Sequence, residues 1–520
     1  MMTSDETFAG LRLQSPVSWL AERARFTPDA EAVVDAYGRA SYAQLLERVL
    51  RVAGTLEARG VRAADVVAYQ LQNSIDALAV ALGVGWTGAT LCPIPPIYRE
   101  REIAFILDEV HPRAFVTHRA YRGRPYGEEA CDLCLPRSID VLLAEPDDEN
   151  SVLGATTPAR LGEPADRSLD ARSVILFTSG TTAIPKGVLH TDRNLMIDCA
   201  TLAANEQLSA RDVLLVASTI THVSGLLYAQ YLPLMLGCKL CLVDQWSAEA
   251  GASMIEREGC TWTGGATPFL QSLVWDPAAR QHDLSSLRIF RCGGAEVPPT
   301  LIEAADGAGI HAYRSYGCSE HPTVSGIAGA DLKRRAHTDG RIHAHVEVRI
   351  IDPEEPSREV PAGTVGEILT RGPDRSAGYL RPEHNAEAYG EDGWFRTGDL
   401  GRIEADGYLV IAGRRKDIII RKGENLSAKE IEDLVIQHPA VEEVAVIGVR
   451  DSERGERACA VVRLSQGATL SLVELSRFLD RFGMARQKYP EQIEIVEDFP
   501  RTAAGKIKKA ELRARYSRAT

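Results

Sequence analysis

The first thing this 520-residue chain lacks is a long hydrophobic run. Its most apolar stretch, residues 77–93, carries no charge, but Gly83, Gly85 and Gly88 interrupt it and it is too short to span a bilayer comfortably. It reads as a buried helix leading into a strand, with no membrane span. Cationic charge is also scarce: 59 Lys and Arg stand against 72 Asp and Glu, a formal balance of −13. That excludes a general nucleic-acid binder, whose affinity would rest on neutralising phosphates. Residues 1–10 hold acidic side chains where a secretory leader would place basic ones before an apolar core, so a cytoplasmic protein is expected. No repeat or low-complexity tract is present.

What is present is ordinary globular composition, 45% apolar and 25% charged, in a chain long enough for more than one domain. Ten cysteines include two C-x2-C pairs, Cys131/Cys134 and Cys238/Cys241. Residues 237–243 have the apolar pattern of a strand, where positions three apart face opposite sides and cannot share an ion. Reduced thiols are therefore expected rather than zinc. Residues 42–58 repeat apolar side chains at helical spacing and residues 66–71 read as a strand. Continued alternation of this kind predicts an α/β core with largely parallel sheets.

Residues 145–172, rich in Pro, Asp, Gly and Ser, read as a surface connector. After Gly413 the texture becomes that of a small α+β unit. Ser427-Ala428-Lys429-Glu430 is a capping box opening a helix, a strand runs through Val444, Val446 and Gly448, and Ser471 to Glu474 repeats the capping device. No carrier segment follows Lys506, and a stand-alone protein is expected.

The chemistry starts at Thr178-Ser179-Gly180-Thr181-Thr182-Ala183-Ile184-Pro185-Lys186-Gly187, directly after the apolar run 174–177. A strand opening into Gly and hydroxyl residues, with one Lys at the far end, can wrap nucleotide phosphates in N–H and O–H donors. The spacing from Gly180 to Lys186 is not that of the common P-loop. Four further segments follow in order: Tyr316-Gly317-Cys318-Ser319-Glu320, Gly366-Glu367-Ile368 with Arg371-Gly372, Trp394 to Asp399, and Gly413 to Asp417. Pro500 to Lys506 closes the series.

Taken together, the chain resembles, over about residues 15–515, the adenylate-forming superfamily of acyl-CoA ligases, peptide-synthetase adenylation domains and luciferases. The resemblance implies an α/β fold, with a large N-terminal domain of mixed sheets flanked by helices (1–414) and a small mobile C-terminal α+β domain (415–520). The hinge is expected at Arg415-Lys416, with Lys416 as its pivot. ATP, Mg2+ and coenzyme A are the implied cofactors, and a small-molecule carboxylic acid the substrate. Thr178, Ser179, Gly180, Thr181, Thr182 and Lys186 are expected to hold the phosphates. Glu320 would help hold Mg2+, with Ser319 beside the phosphates. Lys506 would bridge the carboxylate and the α-phosphate. Asp399 and Arg414 would meet the ribose, and Tyr316 would stack on adenine beside Gly293, Gly294 and Ala295. Lys422 and Gly423 would line the path of the CoA arm. His222, Ser315, Gly317, Cys318 and Val324 would line the acyl pocket, and His222 favours CoA as acceptor.

The chain departs from the superfamily's pattern at Ala183, where Gly is usual, at Ser315 and Ser319, and at Ile342-His343-Ala344-His345, which replace a P-x-P-G run. The pocket residues include no Asp or Lys to meet an amino group, so a hydrophobic acid is expected over an amino acid. Residues 92–102 resemble those of ligases for alicyclic or medium-chain acids. The expected activity is an ATP-dependent, AMP-forming acyl-CoA ligase. Two alternatives stay open: a relative impaired in adenylation that thioesterifies a supplied acyl-adenylate, and a ligase that loads a carrier protein. A homodimer is compatible with all three.

Overall fold

The computed structural model describes residues 7–145, 148, 151–154, 162–178, 185–294, 297–390, 392–421, 424–451, 455–482, 486–502 and 505–517. They fall into two compact units. The first takes the described residues of Met1–Gly180, Ile184–Val346 and Gly372–Glu387, and the second those of Glu347–Arg371 and Ala388–Thr520.

Two seven-stranded sheets form the first unit. One runs, in spatial order, Gly378–Tyr379, Lys186–Thr191, Arg172–Thr178, Thr90–Pro93, Val66–Gln70, Ala114–Thr117 and Asp140–Leu143. Its last five strands are parallel, and Lys186–Thr191 turns back antiparallel on Arg172–Thr178. The other runs Ala312–Ser315, Ile289–Gly293, Trp262–Gly265, Val213–Val216, Lys239–Leu242, Glu31–Val34 and Arg39–Ser41. The strands are short apolar runs because both faces are covered, as parallel sheets require. The helix Tyr42–Ala58 forms where its periodicity predicts, started by a full capping box at Ser41 and Gln44. Residues 77–93 become the buried helix Ile75–Trp86 and the strand Thr90–Pro93, as expected. Among the described residues no helix is long and apolar enough to cross a membrane.

Two expectations need correction. Within the 145–172 connector, Ser151, Val152 and Leu153 are buried rather than on the surface. The Ser151 hydroxyl accepts from the Glu145 and Leu153 N–H groups and donates to the Leu143 carbonyl, which satisfies the turn and lets two apolar side chains enter the core. At Ser427 half of the capping box forms: the hydroxyl accepts from the Glu430 N–H, but the Glu430 carboxylate pairs with Lys488 at 2.7 Å.

The second unit holds a four-stranded antiparallel sheet, Glu347–Ile351, Gly366–Arg371, Phe395–Ile403 and Leu409–Arg414. It also holds a five-stranded sheet centred on the long hairpin Val441–Asp451 and Gly455–Leu464. The turn Arg415–Asp417, where the 414/415 boundary is expected, joins the strands Leu409–Arg414 and Ile418–Arg421 within the second unit.

Candidate active site

The strand Arg172–Thr178 is buried from Ser173 to Phe177, and Thr178 is the first residue to emerge. Its antiparallel partner sets Lys186 opposite Thr178, whose hydroxyl donates to the Lys186 carbonyl at 3.5 Å. Ser179, Gly180, Thr181, Thr182 and Ala183 lie outside the described residues. The Lys186 ammonium lies 3.6 Å from Glu387 and 5.2 Å from the centre of the Tyr379 ring. Glu387 is exposed, so that ion pair is weak and leaves the lysine able to meet a stronger anion. The Tyr379 hydroxyl in turn donates to Glu320 Oε1 at 2.6 Å.

Tyr379 escaped the sequence reading; its signal was no more than a Gly-Tyr pair ahead of a short helix. Asn385 fixes it by accepting from its N–H at 2.7 Å and donating to its carbonyl at 3.1 Å. Removing a hydroxyl that donates to a charged acceptor costs about 1.5–3 kcal/mol. Tyr379→Phe is therefore expected to lower kcat/KM for pyrophosphate release about ten- to a hundredfold. A steady-state pyrophosphate assay at wild-type rate would show that the bond has no catalytic weight.

Glu320 sits on a loop held from several sides. The Tyr316 N–H donates to the Ser325 carbonyl and the Val324 N–H to the Tyr316 carbonyl, while Cys318 and His321 exchange backbone hydrogen bonds. A Cβ at Gly317 would lie 1.9 Å from the Pro322 carbonyl oxygen, so only glycine fits there. The Ser376 N–H donates to the Glu320 carbonyl at 2.8 Å.

His190 completes the support. Asn194 Nδ2 donates to its Nδ1 at 2.9 Å, which leaves the proton on Nε2, and Nε2 donates to the Ser319 carbonyl at 2.9 Å. Burial pushes the His190 pKa down to about 4. Between the ordinary value near 6.5 and about 4, the unfolded chain binds the proton and the folded chain does not. The contribution of this neutral ring to stability is thus complete above about pH 6.5 and is lost as pH falls through that window. NMR titration of the ring is expected to show it uncharged until close to pH 4; a midpoint near 6.5 would contradict the burial argument.

Gly293 and Ser315, both expected at the acyl pocket or the adenine, are cross-strand partners. A Cβ at Gly293 would meet Ser315 Oγ at 2.6 Å, and that hydroxyl donates to the Cys292 carbonyl at 3.2 Å. Gly293, Gly294, Ser315, Tyr316, Gly317, Cys318 and Val324 therefore gather where these two strands end. Ala295 lies outside the described residues. His222 is half-buried at the start of the helix Val223–Leu226, with Nδ1 3.2 Å from Ser224 Oγ.

The remaining candidates belong to the second unit. Asp399 and Arg414 face each other across neighbouring strands, and Arg414 Nε donates to Asp399 Oδ1 at 2.9 Å. Lys506 ends a turn in which the Thr502 N–H donates to its carbonyl at 2.7 Å and its own N–H donates to Thr502 Oγ1 at 3.2 Å. Arg501 anchors the base of that turn to Glu443 at 2.6 Å. Lys416 lies in the turn Arg415–Asp417 with its side chain outside the described set, and Lys422 and Gly423 lie outside the described residues altogether.

The AMP-binding enzyme family matches residues 20–380, and the AMP-binding enzyme C-terminal domain matches residues 430–506. The chain belongs to the AMP-binding enzyme family. Among its relatives, the medium-chain fatty-acid–CoA ligase of Escherichia coli (strain K12) is 34% identical over 95% of this chain and 88% of its own. The indoleacetate–CoA ligase of Aromatoleum aromaticum is 32% identical over 96% and 98%. Among solved structures, ATP-bound MatB from Rhodopseudomonas palustris superposes with a TM-score of 0.88 at 29% identity, covering 97% of this chain and 99% of that one. This AMP-binding enzyme is thus a member of the adenylate-forming superfamily and an AMP-forming acid–thiol ligase.

Proposed function

We propose that the enzyme activates a hydrophobic carboxylic acid as its acyl-adenylate with ATP and then transfers the acyl group to the thiol of coenzyme A, in the cytoplasm. The observation that carries this reading is the Glu320 carboxylate, held by Tyr379 beside Lys186 at the end of the Thr178 hairpin. A carboxylate and a triphosphate repel each other, so adenylation needs cations and oriented donors where the two meet. Lys186 supplies one cation at the phosphate end. Glu320 gives one oxygen to Tyr379, and its other oxygen accepts from none of the described residues. That donor set fits Mg2+, which would offset phosphate charge there. Asp399, tied to Arg414, offers an acceptor for ribose hydroxyls. Lys506 neutralises the carboxylate and the α-phosphate as they approach. Motion about Arg415-Lys416 then withdraws that lysine and brings Lys422 and Gly423 to the thioester step.

Pyrophosphate release over a panel of acids, with and without CoA, tests the reading. Thioester formation from preformed adenylates alone would favour the adenylation-impaired alternative, which Ala183 motivates. Transfer to a carrier protein but not to CoA would favour the carrier-loading one.

A further inference from the structure

Cys318 and His321 close a tight turn by exchanging backbone hydrogen bonds, and Ser319 and Glu320 form its tip. Residues 372–379, in the same compact unit, meet this turn three times. His321 Nε2 donates to Asp374 Oδ1 at 3.0 Å, the Ser376 N–H to the Glu320 carbonyl at 2.8 Å, and the Tyr379 hydroxyl to the Glu320 carboxylate at 2.6 Å. The segment is itself tied to the strand Lys186–Thr191: the Ala377 N–H donates to the Leu189 carbonyl and the Leu380 N–H to the Gly187 carbonyl, each at 2.8 Å. It thereby joins the strand that carries Lys186 to the turn that carries Glu320.

Of the three contacts, the one at Asp374 joins two side chains that are both 0% exposed. Burial raises the Asp374 pKa, but His321 and then His345 more than reverse this and hold the carboxyl below its usual range, so it accepts. His345, from the Ile342–His345 departure, brings Nε2 within 3.0 Å of Oδ2, off the line of a hydrogen bond. The Asp374 carbonyl accepts from Asn194 Nδ2 at 3.2 Å, and the same amide donates to His190, which holds the Ser319 carbonyl. A Cβ at Gly372 would lie 2.7 Å from Asp374 Oδ1 and 3.3 Å from His321 Nε2, so the glycine of the Arg371-Gly372 motif leaves room for the pair. Hydrocarbon would fill the same space with no charge to desolvate. What hydrocarbon lacks is direction: a hydrogen bond fixes the His321 ring, and with it the base of the turn that aims Glu320.

We propose that Asp374 is a positioning residue for adenylation: by holding His321 it sets the direction in which Glu320 presents its carboxylate to Mg2+, and Gly372 keeps the pair in register. The inference rests on the ligase reading above and adds to it a residue that acts only through its neighbours.

The test uses the full-length enzyme and three variants. Asp374→Asn keeps the volume and an acceptor for His321, Asp374→Ala keeps neither, and Gly372→Ala removes no polar group but crowds the pair. Calorimetry of ATP binding at stepped Mg2+ concentrations, without acid, reads the metal requirement apart from turnover. Pyrophosphate release and thioester formation from a preformed adenylate read the two half-reactions, and thermal melting reads the fold. Asp374→Ala and Gly372→Ala are each expected to raise the Mg2+ needed for ATP binding and for pyrophosphate release by about ten- to a hundredfold, the usual cost of losing a group that orients a metal ligand. Thioester formation should stay within a few fold of wild type, and Asp374→Asn should recover most of the loss. Should Asp374→Ala fail to fold, Gly372→Ala decides. An unmoved Mg2+ requirement, an Asp374→Asn as poor as Asp374→Ala, or one common loss in both half-reactions that follows the melting temperature would overturn the proposal, with the ligase intact. A wild type that activates no acid of the panel above would remove the ligase reading and this inference with it.

Discussion

Lys506→Ala is expected to slow acyl-adenylate formation about a hundred- to a thousandfold, the usual scale for losing one group that stabilises transition-state charge. Thioester formation from a synthetic acyl-adenylate should stay within a few fold of wild type. The asymmetry follows from where charge develops. On the proposed mechanism two anions converge in the first half-reaction and the lysine would offset both; in the second the anhydride is already made and the thiol brings no comparable repulsion. The turn carrying Lys506 is pinned at its base by Arg501 on Glu443 and closed by Thr502, and neither contact depends on the lysine side chain. The substitution should therefore leave the unit folded. Pyrophosphate release and CoA thioester formation, measured separately, check the claim. Equal losses in both would contradict the division of labour.

Glu320→Gln should reduce adenylation by a similar factor, for a different reason. The amide keeps the shape of the side chain and can still accept from Tyr379, so the 316–321 loop, fixed by its backbone bonds and by Gly317 against Pro322, has no cause to move. What disappears is a full negative charge beside Lys186. A hard divalent cation prefers carboxylate oxygen to amide oxygen, so the Mg2+ concentration needed for half-maximal pyrophosphate release should rise roughly tenfold or more as kcat falls. An unchanged Mg2+ dependence would remove Glu320 from the metal's surroundings and leave it as a structural partner of Tyr379.

Features set by local pattern were legible in the sequence. The helix Tyr42–Ala58 and the strand beginning at Val66 follow from periodicity, and the capping box at Ser471 from adjacent residues. Motif order led to the same family that the comparisons reach. Long-range partnerships stayed hidden. Glu430 turns to Lys488 instead of its own helix start, and Tyr379 reaches Glu320 across 59 positions. His190 supports Ser319 across 129. Such pairs leave no period in the chain, because the fold alone brings them together. The Ile342–His345 departure was visible as a break in pattern, but the sequence could not reveal that burial would leave His343 Nε2 without a hydrogen-bond partner among the described residues.

The helix Asp192–Glu206 has a further consequence. Near its start Asn194 steadies His190 and the Ser319 carbonyl, and farther along Asp198 accepts from Thr323 and Asn205 donates to His343, both beside Val324. On the proposed function, one rigid rod is thus common to the nucleotide loop and, through Val324, the chamber for the acid. By thermodynamic reciprocity, any factor by which a filled chamber sharpens affinity for ATP must equal the factor by which ATP sharpens affinity for the acid.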